Sequence, residues 1–330
     1  MPPARLPVPR NKTEWIELAA LRIERILKVR VAATIRQLEV KICESGPPSK
    51  RPEPHILSSG LEKLRESGRL RVFQPPGESR QNETKFYSLV EHYPNATKAR
   101  VNELLVPYRV HRMFAQTAEY CGNVLEEIVR ASFKAADSYR YEGKLPKDTP
   151  LDGVYIWGGT TLGVEVKNVR EWIYPHSDRV WAMVRKCLEL NAVPFLVARK
   201  IPYVSRVVFS RLGILGFEVH RQVFSPAVAN YLDDIRHVDR LGYKDVIAML
   251  PSTVLPPLVG FLQRTLPANY AQYRARWDGQ RELLTEFAIT RNLGRGDMPE
   301  PERNSHYREL ARLLFYSSEL ENPEDFAAEF

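Results

Sequence analysis

The sequence predicts an α/β protein built from more than one domain. Its 330 residues exceed what a single hydrophobic core usually organises. Between residues 116 and 223, helical and strand patterns alternate, which is typical of α/β domains. Three amphipathic helices and two short strands precede this region, and a mostly helical region follows it. We therefore expect an N-terminal domain over 1–95, an α/β core over 96–225 and a helical C-terminal region over 226–330.

The first 100 residues predict three helices, a hairpin and a linker. Apolar residues at helical spacing place a helix over 13–28, with Thr13 as its N-cap, and further helices over 31–43 and 56–68. Gly68 suits the end of the third helix. The segments RLRVF (69–73) and KFYSLV (85–90) predict two strands around a polar loop, and residues 91–100 predict a linker.

Three helices followed by a hairpin resemble the winged-helix domain. In that domain the third helix enters the major groove of DNA and the hairpin contacts the backbone. The resemblance implies phosphate contacts from basic residues of the third helix, the strands and the loop, namely Lys63, Arg65, Arg69, Arg71, Arg80 and Lys85. Winged helices also bind proteins, so DNA binding and protein binding both remain open.

The net charge of the chain is concentrated in this N-terminal part. Residues 1–100 contain 19 Lys or Arg against 11 Glu and no Asp, which accounts for the whole excess of +8. The remaining residues contain 29 charges of each sign. A basic surface attracts polyanions such as DNA, so the charge favours a nucleic-acid partner for the first domain, although a solvated basic surface has the same composition.

The central region predicts the element order αβββαβ and then one more helix and strand. Periodicity and composition place these elements in chain order as a helix over 116–135, strands over 139–141, 152–157 and 161–169, a helix over 178–190, a strand over 193–198, a helix over 204–212 and a strand over 217–223. This alternation predicts an α/β domain.

The segment LDGVYIWGGTTLGVEVKNV contains the candidate catalytic residues. Gly158-Gly159 is suited to a two-residue hairpin turn, which pairs Trp157 with Thr160. The same register sets Asp152 opposite Glu165. Because side chains alternate along a strand, Glu165 and Lys167 should share one face, while Val164 and Val166 share the opposite, buried face. A three-residue turn would displace this pairing by one position.

Two facing carboxylates repel each other unless a cation lies between them. Oxygen ligands from two acids are what a hard cation such as Mg²⁺ prefers. A bound metal would activate water and offset the charge of a phosphodiester, and Lys167 would orient the water or offset charge in the transition state. The pattern therefore predicts phosphodiester hydrolysis.

These residues resemble the PD-(D/E)XK nuclease superfamily, which includes many restriction enzymes and the archaeal Holliday-junction resolvases. Asp152, Glu165 and Lys167 match its motif, and the αβββαβ order agrees over about 116–223. The resemblance implies a restriction-endonuclease-like core, a Mg²⁺ ion with Mn²⁺ as substitute, and a metal ligand from the backbone carbonyl of Val166. Resolvase-like members add a glutamate from the preceding helix, for which Glu126 is the first candidate and Glu127 the second.

The sequence thus predicts a Mg²⁺-dependent endodeoxyribonuclease that acts on double-stranded DNA in restriction or in recombination and repair. A homodimer is implied by the resemblance, with the region after 225 as interface. Three alternatives stay open: a winged-helix DNA-binding regulator with a silent nuclease fold, a Holliday-junction-resolvase-like structure-specific nuclease, and an RNA nuclease.

Other features of the sequence exclude several classes of protein. The chain contains no run of roughly 18 apolar residues and its first residues lack the apolar stretch of a signal peptide, so we expect a cytoplasmic protein without membrane contact. Its three cysteines lack metal-binding spacing, and phosphate-loop motifs are absent. The basic residues after the motif could hold phosphates or could be ordinary helix charges: Arg170, Arg179, Arg185 and Lys186.

Overall fold

The structure is a computed structural model that describes residues 11–45, 51–75 and 84–292. The helices in chain order are α1 (Lys12–Arg30), α2 (Ile35–Ile42), α3 (Pro54–Glu66), α4 (Pro94–Gln116), α5 (Asn123–Ala135), α6 (Asp178–Glu189), α7 (Tyr203–Leu212), α8 (Ala229–Arg236), α9 (Pro256–Gly260), α10 (Leu266–Gly279) and α11 (Arg281–Asn292). The strands are β1 (Ala33–Thr34), β2 (Leu70–Phe73), β3 (Phe86–Leu89), β4 (Arg140–Gly143), β5 (Gly153–Trp157), β6 (Thr160–Lys167), β7 (Val193–Ala198), β8 (Leu215–Glu218), β9 (Gln222–Phe224) and β10 (Val246–Ala248). The predicted α/β class is confirmed as a mixed α/β fold.

The chain forms two compact units, each made of two segments. Of the described residues, those up to 122 and those over 221–249 form the first unit, and those over 123–220 and 250–292 form the second. The predicted boundaries differ from this division, because residue 95 lies inside α4 and the region after 225 contributes to both units. The linker predicted over 91–100 is wrong: Pro94 opens α4, which buries Val101 and Leu104 against the core.

The first unit begins with three helices and a small antiparallel sheet in the order β1-β3-β2. The three predicted helices and both predicted strands of the hairpin are confirmed. Asn11 caps α1 in place of the predicted Thr13, since its side chain accepts a hydrogen bond from the backbone of Glu14 at 2.9 Å. A reciprocal capping box between Thr34 and Gln37 starts α2 directly after β1.

In the rest of the first unit, α4 and α8 pack around an apolar cluster. Phe114 of α4 is buried there with Phe224, Leu232 and Tyr243. The strand predicted over 217–223 is wrong as a single element, because two strands occupy this region. β9 pairs in parallel with β10 in the first unit, whereas β8 belongs to the sheet of the second unit.

A five-stranded mixed sheet organises the second unit, in the order β4-β5-β6-β7-β8. The pairs β4-β5 and β5-β6 are antiparallel, whereas β6-β7 and β7-β8 are parallel. All six residues of β7, VPFLVA, are buried, which is typical of an inner parallel strand. β6 lies in the middle of the sheet and carries the residues of the predicted motif.

Helices cover both faces of this sheet. On one face Phe133 of α5 stacks on Tyr155, with ring centroids 3.9 Å apart, and also contacts Phe195. On the other face Cys187 of α6 packs against Gly163, where an added side-chain carbon would come within 2.8 Å of Leu151. The two faces of β6 are therefore both buried.

Among the helices within 11–45, 51–75 and 84–292, none combines the length and the apolar composition that crossing a membrane requires.

Candidate active site

The β5-β6 hairpin has the predicted register. Trp157 pairs with Thr160 and Gly153 pairs with Val164. The turn places Gly158 and Gly159 at φ values of +54° and +78°, which glycine adopts without strain. Continued by one residue beyond the pair of Gly153 with Val164, the same register places Asp152 opposite Glu165.

Asp152 is held against β6 through the backbone. Its Oδ2 atom accepts a hydrogen bond from the N–H of Val166, with the nitrogen and oxygen 2.6 Å apart. This bond locks the carboxylate at the entrance of β5, beside the two charged residues of the motif. The carbonyl of Val166, the predicted backbone metal ligand, belongs to the same short stretch of β6.

Glu165 is more deeply buried than the alternation of the strand predicts. Val164 and Val166 are 1% and 7% exposed, as expected for the apolar face. Glu165 is itself only 5% exposed, because β6 is a middle strand and α6 covers the face that carries the acid. A buried carboxylate requires charged or hydrogen-bonding partners.

Two lysines supply those partners from different elements. The Nζ of Lys167 lies 2.6 Å from Oε1 of Glu165 and 3.9 Å from Oδ2 of Asp152, so the ammonium group lies between the two acids. The Nζ of Lys186 lies 3.5 Å from Oε2 of Glu165 and donates to the carbonyl of Pro150 at 3.0 Å. Each oxygen of Glu165 thus has its own ammonium group.

Glu126 on α5 lies within electrostatic range of this cluster. Burial raises the pKa of Glu126, and the negative charge of Asp152 raises it further, whereas the hydrogen bond from Lys144 and the charge of Lys167 oppose the shift. The Nζ of Lys144 donates to Oε2 of Glu126 at 2.6 Å. That bond in turn raises the pKa of Lys144.

Glu127 has different surroundings from its neighbour. It forms an ion pair with Arg130 on the same helix and lines a cavity of about 620 Å³ with Tyr139 and Tyr141. Of the two glutamates that the sequence offered, Glu126 is therefore the one associated with Asp152 and Lys167.

The donor set suits a hard divalent cation through two carboxylates. Asp152 and Glu165 supply oxygen atoms, and Mg²⁺ is commonly held by one or two carboxylates while it keeps several waters. Within the described ranges, no three His, Cys, Asp or Glu side chains lie close enough together to hold a metal ion. The candidate ligands from the hairpin are therefore the two acids and the Val166 carbonyl.

Five of the six predicted DNA-contacting residues are described and lie on the first unit, and three of these five form ion pairs. Lys63 forms an ion pair with Glu17 at 3.2 Å, while Arg65 and Arg69 pair with Glu62 and Glu24. In each of these ion pairs the lysine or arginine side chain is exposed to solvent, so the pair contributes little to stability. Arg71 is partly exposed on β2 and Lys85 is exposed before β3, whereas Arg80 lies outside the described residues.

Two lysines at the site have partners that the sequence did not predict: Lys144 was not singled out, and Lys186, predicted as a phosphate contact or an ordinary helix charge, contacts Glu165. Lys144 follows β4 in a loop, and nothing in its local sequence points to Glu126. Lys186 does leave a signal, because it lies on the apolar side of the predicted helix, three residues after Met183 and adjacent to Cys187. A lysine in such a position is buried only with a partner.

No family model, curated protein or solved structure matches the chain.

Proposed function

We propose that the protein is a metal-dependent DNA endonuclease with Asp152, Glu165 and Lys167 at its active site. One observation carries the proposal. The hairpin register sets the two acids in facing positions, and the ammonium group of Lys167 lies 2.6 Å and 3.9 Å from their oxygens. Two acids and a lysine on adjacent strands are groups that can hold Mg²⁺, or Mn²⁺ in its place, and act with it in phosphodiester hydrolysis.

The topology of the second unit supports a restriction-endonuclease-like core of the PD-(D/E)XK type. The elements α5, β4, β5, β6, α6 and β7 follow one another in the order αβββαβ. The proposed acids lie on the central hairpin of a mixed sheet with helices on both faces.

Each residue then has a definite task. Asp152, Glu165 and the Val166 carbonyl would hold the metal. When bound, Mg²⁺ would lower the pKa of a water molecule and offset the negative charge of the phosphodiester. Lys167 would donate a hydrogen bond to the attacking water or to a phosphate oxygen. Glu126, the proposed fourth member, would act on the site through its interaction with the charge of Asp152.

The N-terminal part of the first unit supports duplex binding. α1, α2 and α3 precede a hairpin of β2 and β3, which is the order of a winged helix, and Lys63, Arg65, Arg69, Arg71, Arg80 and Lys85 lie on α3, on the hairpin strands or in the segments next to them. We propose that this winged helix binds double-stranded DNA for the nuclease. A homodimer that cuts both strands and a cytoplasmic location remain predictions from the sequence.

Cleavage of DNA tests the proposal. Purified protein is incubated with supercoiled plasmid, linear duplex, a four-way junction and labelled RNA, with and without Mg²⁺. We expect cleavage of DNA only with the metal, and a loss of at least 100-fold in Asp152→Asn and Lys167→Ala, since each change removes a group that acts on the transition state.

Matched variants at exposed positions control for the change of charge itself. Asp148→Asn and Lys134→Ala make the same chemical changes at exposed positions and should retain full activity. Cleavage by Asp152→Asn at the rate of the unchanged protein would refute the assignment. Cleavage restricted to RNA would overturn the choice of substrate, and a strong preference for the junction would favour the resolvase-like alternative.

A second candidate function is a DNA-binding regulator with a silent nuclease fold. The observation that favours it is the charge balance of the site, because Lys167 and Lys186 already neutralise both oxygens of Glu165. A regulator would bind duplex DNA tightly and leave every substrate uncut with Mg²⁺ or Mn²⁺. The same incubations, read beside an electrophoretic binding measurement, distinguish the two functions.

A further inference from the structure

Lys186 is a charged residue on the apolar side of α6. Its neighbours on that side are buried, including Met183, Val184 and Cys187, and Lys186 itself is 9% exposed. Moving an ammonium group out of water is unfavourable unless hydrogen bonds and an opposite charge replace the lost hydration. The partners of Lys186 therefore indicate why a lysine occupies this position.

These partners belong to both strands of the proposed active site. Lys186 donates to the carbonyl of Pro150, two residues before Asp152, and lies 3.5 Å from Oε2 of Glu165. One ammonium group thus connects the segment that leads into β5 with the acid on β6. The connection fixes the positions of Asp152 and Glu165 relative to each other.

The two lysines on Glu165 are not equivalent. The side chain of Lys167 is 20% exposed and its ammonium group faces both acids. The side chain of Lys186 is 11% exposed, and its ammonium group contacts Oε2 of Glu165 and the carbonyl of Pro150. Oε1 is the oxygen that contacts Lys167, whose ammonium group also lies 3.9 Å from Oδ2 of Asp152. A ligand between the acids can displace Lys167 while Lys186 continues to hold Oε2.

We propose that Lys186 is a positioning residue of the active site, which holds Glu165 with Oε1 directed toward Asp152 and Oε2 withheld from the metal. This inference rests on the proposed function. Without Lys186, no ammonium group would hold Oε2, and the carboxylate of Glu165 would be free to rotate about its contact with Lys167. Partners that orient a metal-binding carboxylate commonly change metal affinity or activity by roughly 10- to 100-fold.

Calorimetric titration with Mn²⁺ tests the inference independently of cleavage. In Lys186→Met, which keeps the length of the apolar stem, we expect the Mn²⁺ dissociation constant to rise at least tenfold. Lys186→Arg retains the charge and the donors, so it should recover most of the affinity. Lys134→Met, an exposed change of the same type on α5, should bind Mn²⁺ as the unchanged protein does.

The possible outcomes distinguish failure of this inference from failure of the proposed function on which it rests. If Asp152→Asn abolishes Mn²⁺ binding while Lys186→Met binds as tightly as the unchanged protein, or more tightly, Lys186 has no positioning role. If the unchanged protein binds no Mn²⁺ even with a duplex present, the metal site and the inference are both lost. Should Lys186→Met fail to give a cooperative thermal transition, Lys186→Gln carries the same test, with the same tenfold criterion.

Discussion

At the scale of single residues, the site is governed by charge balance around buried acids. Glu165 is 5% exposed, and breaking a buried ion pair by removal of one partner commonly costs about 3–5 kcal/mol. Lys167 and Lys186 both offset the negative charge of Glu165, so loss of either lysine leaves Glu165 with one cation. Because the ammonium group of Lys167 lies between Asp152 and Glu165, a metal bound between these acids would require Lys167 to move.

Glu126 gives a prediction with a definite sign for pH dependence. Its pKa in the folded protein is raised, chiefly by burial and then by Asp152. The folded state therefore holds this proton more tightly than the unfolded state does, and stability is lost as pH rises through the folded pKa. Glu126→Gln should raise the thermal midpoint at pH 7.5, and the gain should vanish near pH 4.

Glu127→Gln provides the control for that measurement. Glu127 lies next in sequence on α5, but its partner is the exposed Arg130. Removal of a surface ion pair should change stability by less than about 1 kcal/mol and should not raise the midpoint at pH 7.5. An equal gain in both variants would show that the effect does not arise from the surroundings of Glu126.

At the scale of elements, the β5-β6 hairpin decides whether the acids meet. Gly158 and Gly159 supply the two left-handed residues of the turn, and the register follows from a two-residue connection. Parallel pairing of β6 with β7 then places the hairpin inside the sheet. A surface hairpin with the same register would leave Glu165 in water.

Close approach of α10 to the end of α7 gives a second prediction. Gly213 has φ of +73°, and a side-chain carbon there would overlap the backbone of Tyr273 and Trp277. Gly213→Ala combines an unfavourable backbone conformation with a collision against a helix, so it should reduce the free energy of unfolding by about 2–5 kcal/mol. The midpoint of urea denaturation measures this change.

Gly279→Ala is the matched control for Gly213→Ala. Gly279 ends α10 with nothing within 4 Å of an added carbon. Replacing a glycine whose conformation alanine can adopt commonly stabilises a protein by roughly 0.4–1 kcal/mol. A loss of stability at Gly279 equal to that at Gly213 would contradict the explanation from close packing.

At the scale of the whole molecule, charge is distributed unevenly along the chain. The excess of +8 belongs to residues 1–100, which supply the first three helices and the three-stranded sheet. If these residues bind DNA, reversal of two proposed phosphate contacts, Arg71→Glu and Lys85→Glu, should weaken duplex binding. The slope of log affinity against log salt should fall by about 2.

A second double variant controls for net charge. Lys28→Glu and Lys98→Glu change the charge by the same amount at exposed positions of α1 and α4 that lie outside the proposed contacts. They should alter the salt dependence by less than the first pair. Equal slopes for the two double variants would indicate diffuse attraction of DNA to the basic unit instead of specific contacts through Arg71 and Lys85.

Local patterns predicted most elements, and the exceptions have physical reasons. Residues 91–100 contain Pro94, Asn95 and charged side chains, which predict a linker. The structure instead begins α4 at Pro94, because proline is favourable as the first residue of a helix. The strand predicted over 217–223 divides because the chain leaves one unit at His220 and enters the other at Arg221. Local hydrophobicity carries no information about which unit a strand joins.

The sequence by itself determined the hairpin register, the alternation along β6 and the identity of the two facing acids, because turn chemistry and a two-residue period act over a few positions. Only the tertiary structure decided that Glu165 is buried, that Lys186 holds its second oxygen and that Glu126 is associated with Asp152. These features depend on α5 and α6 packing against the sheet. Contacts between elements distant in sequence leave little trace in any local pattern.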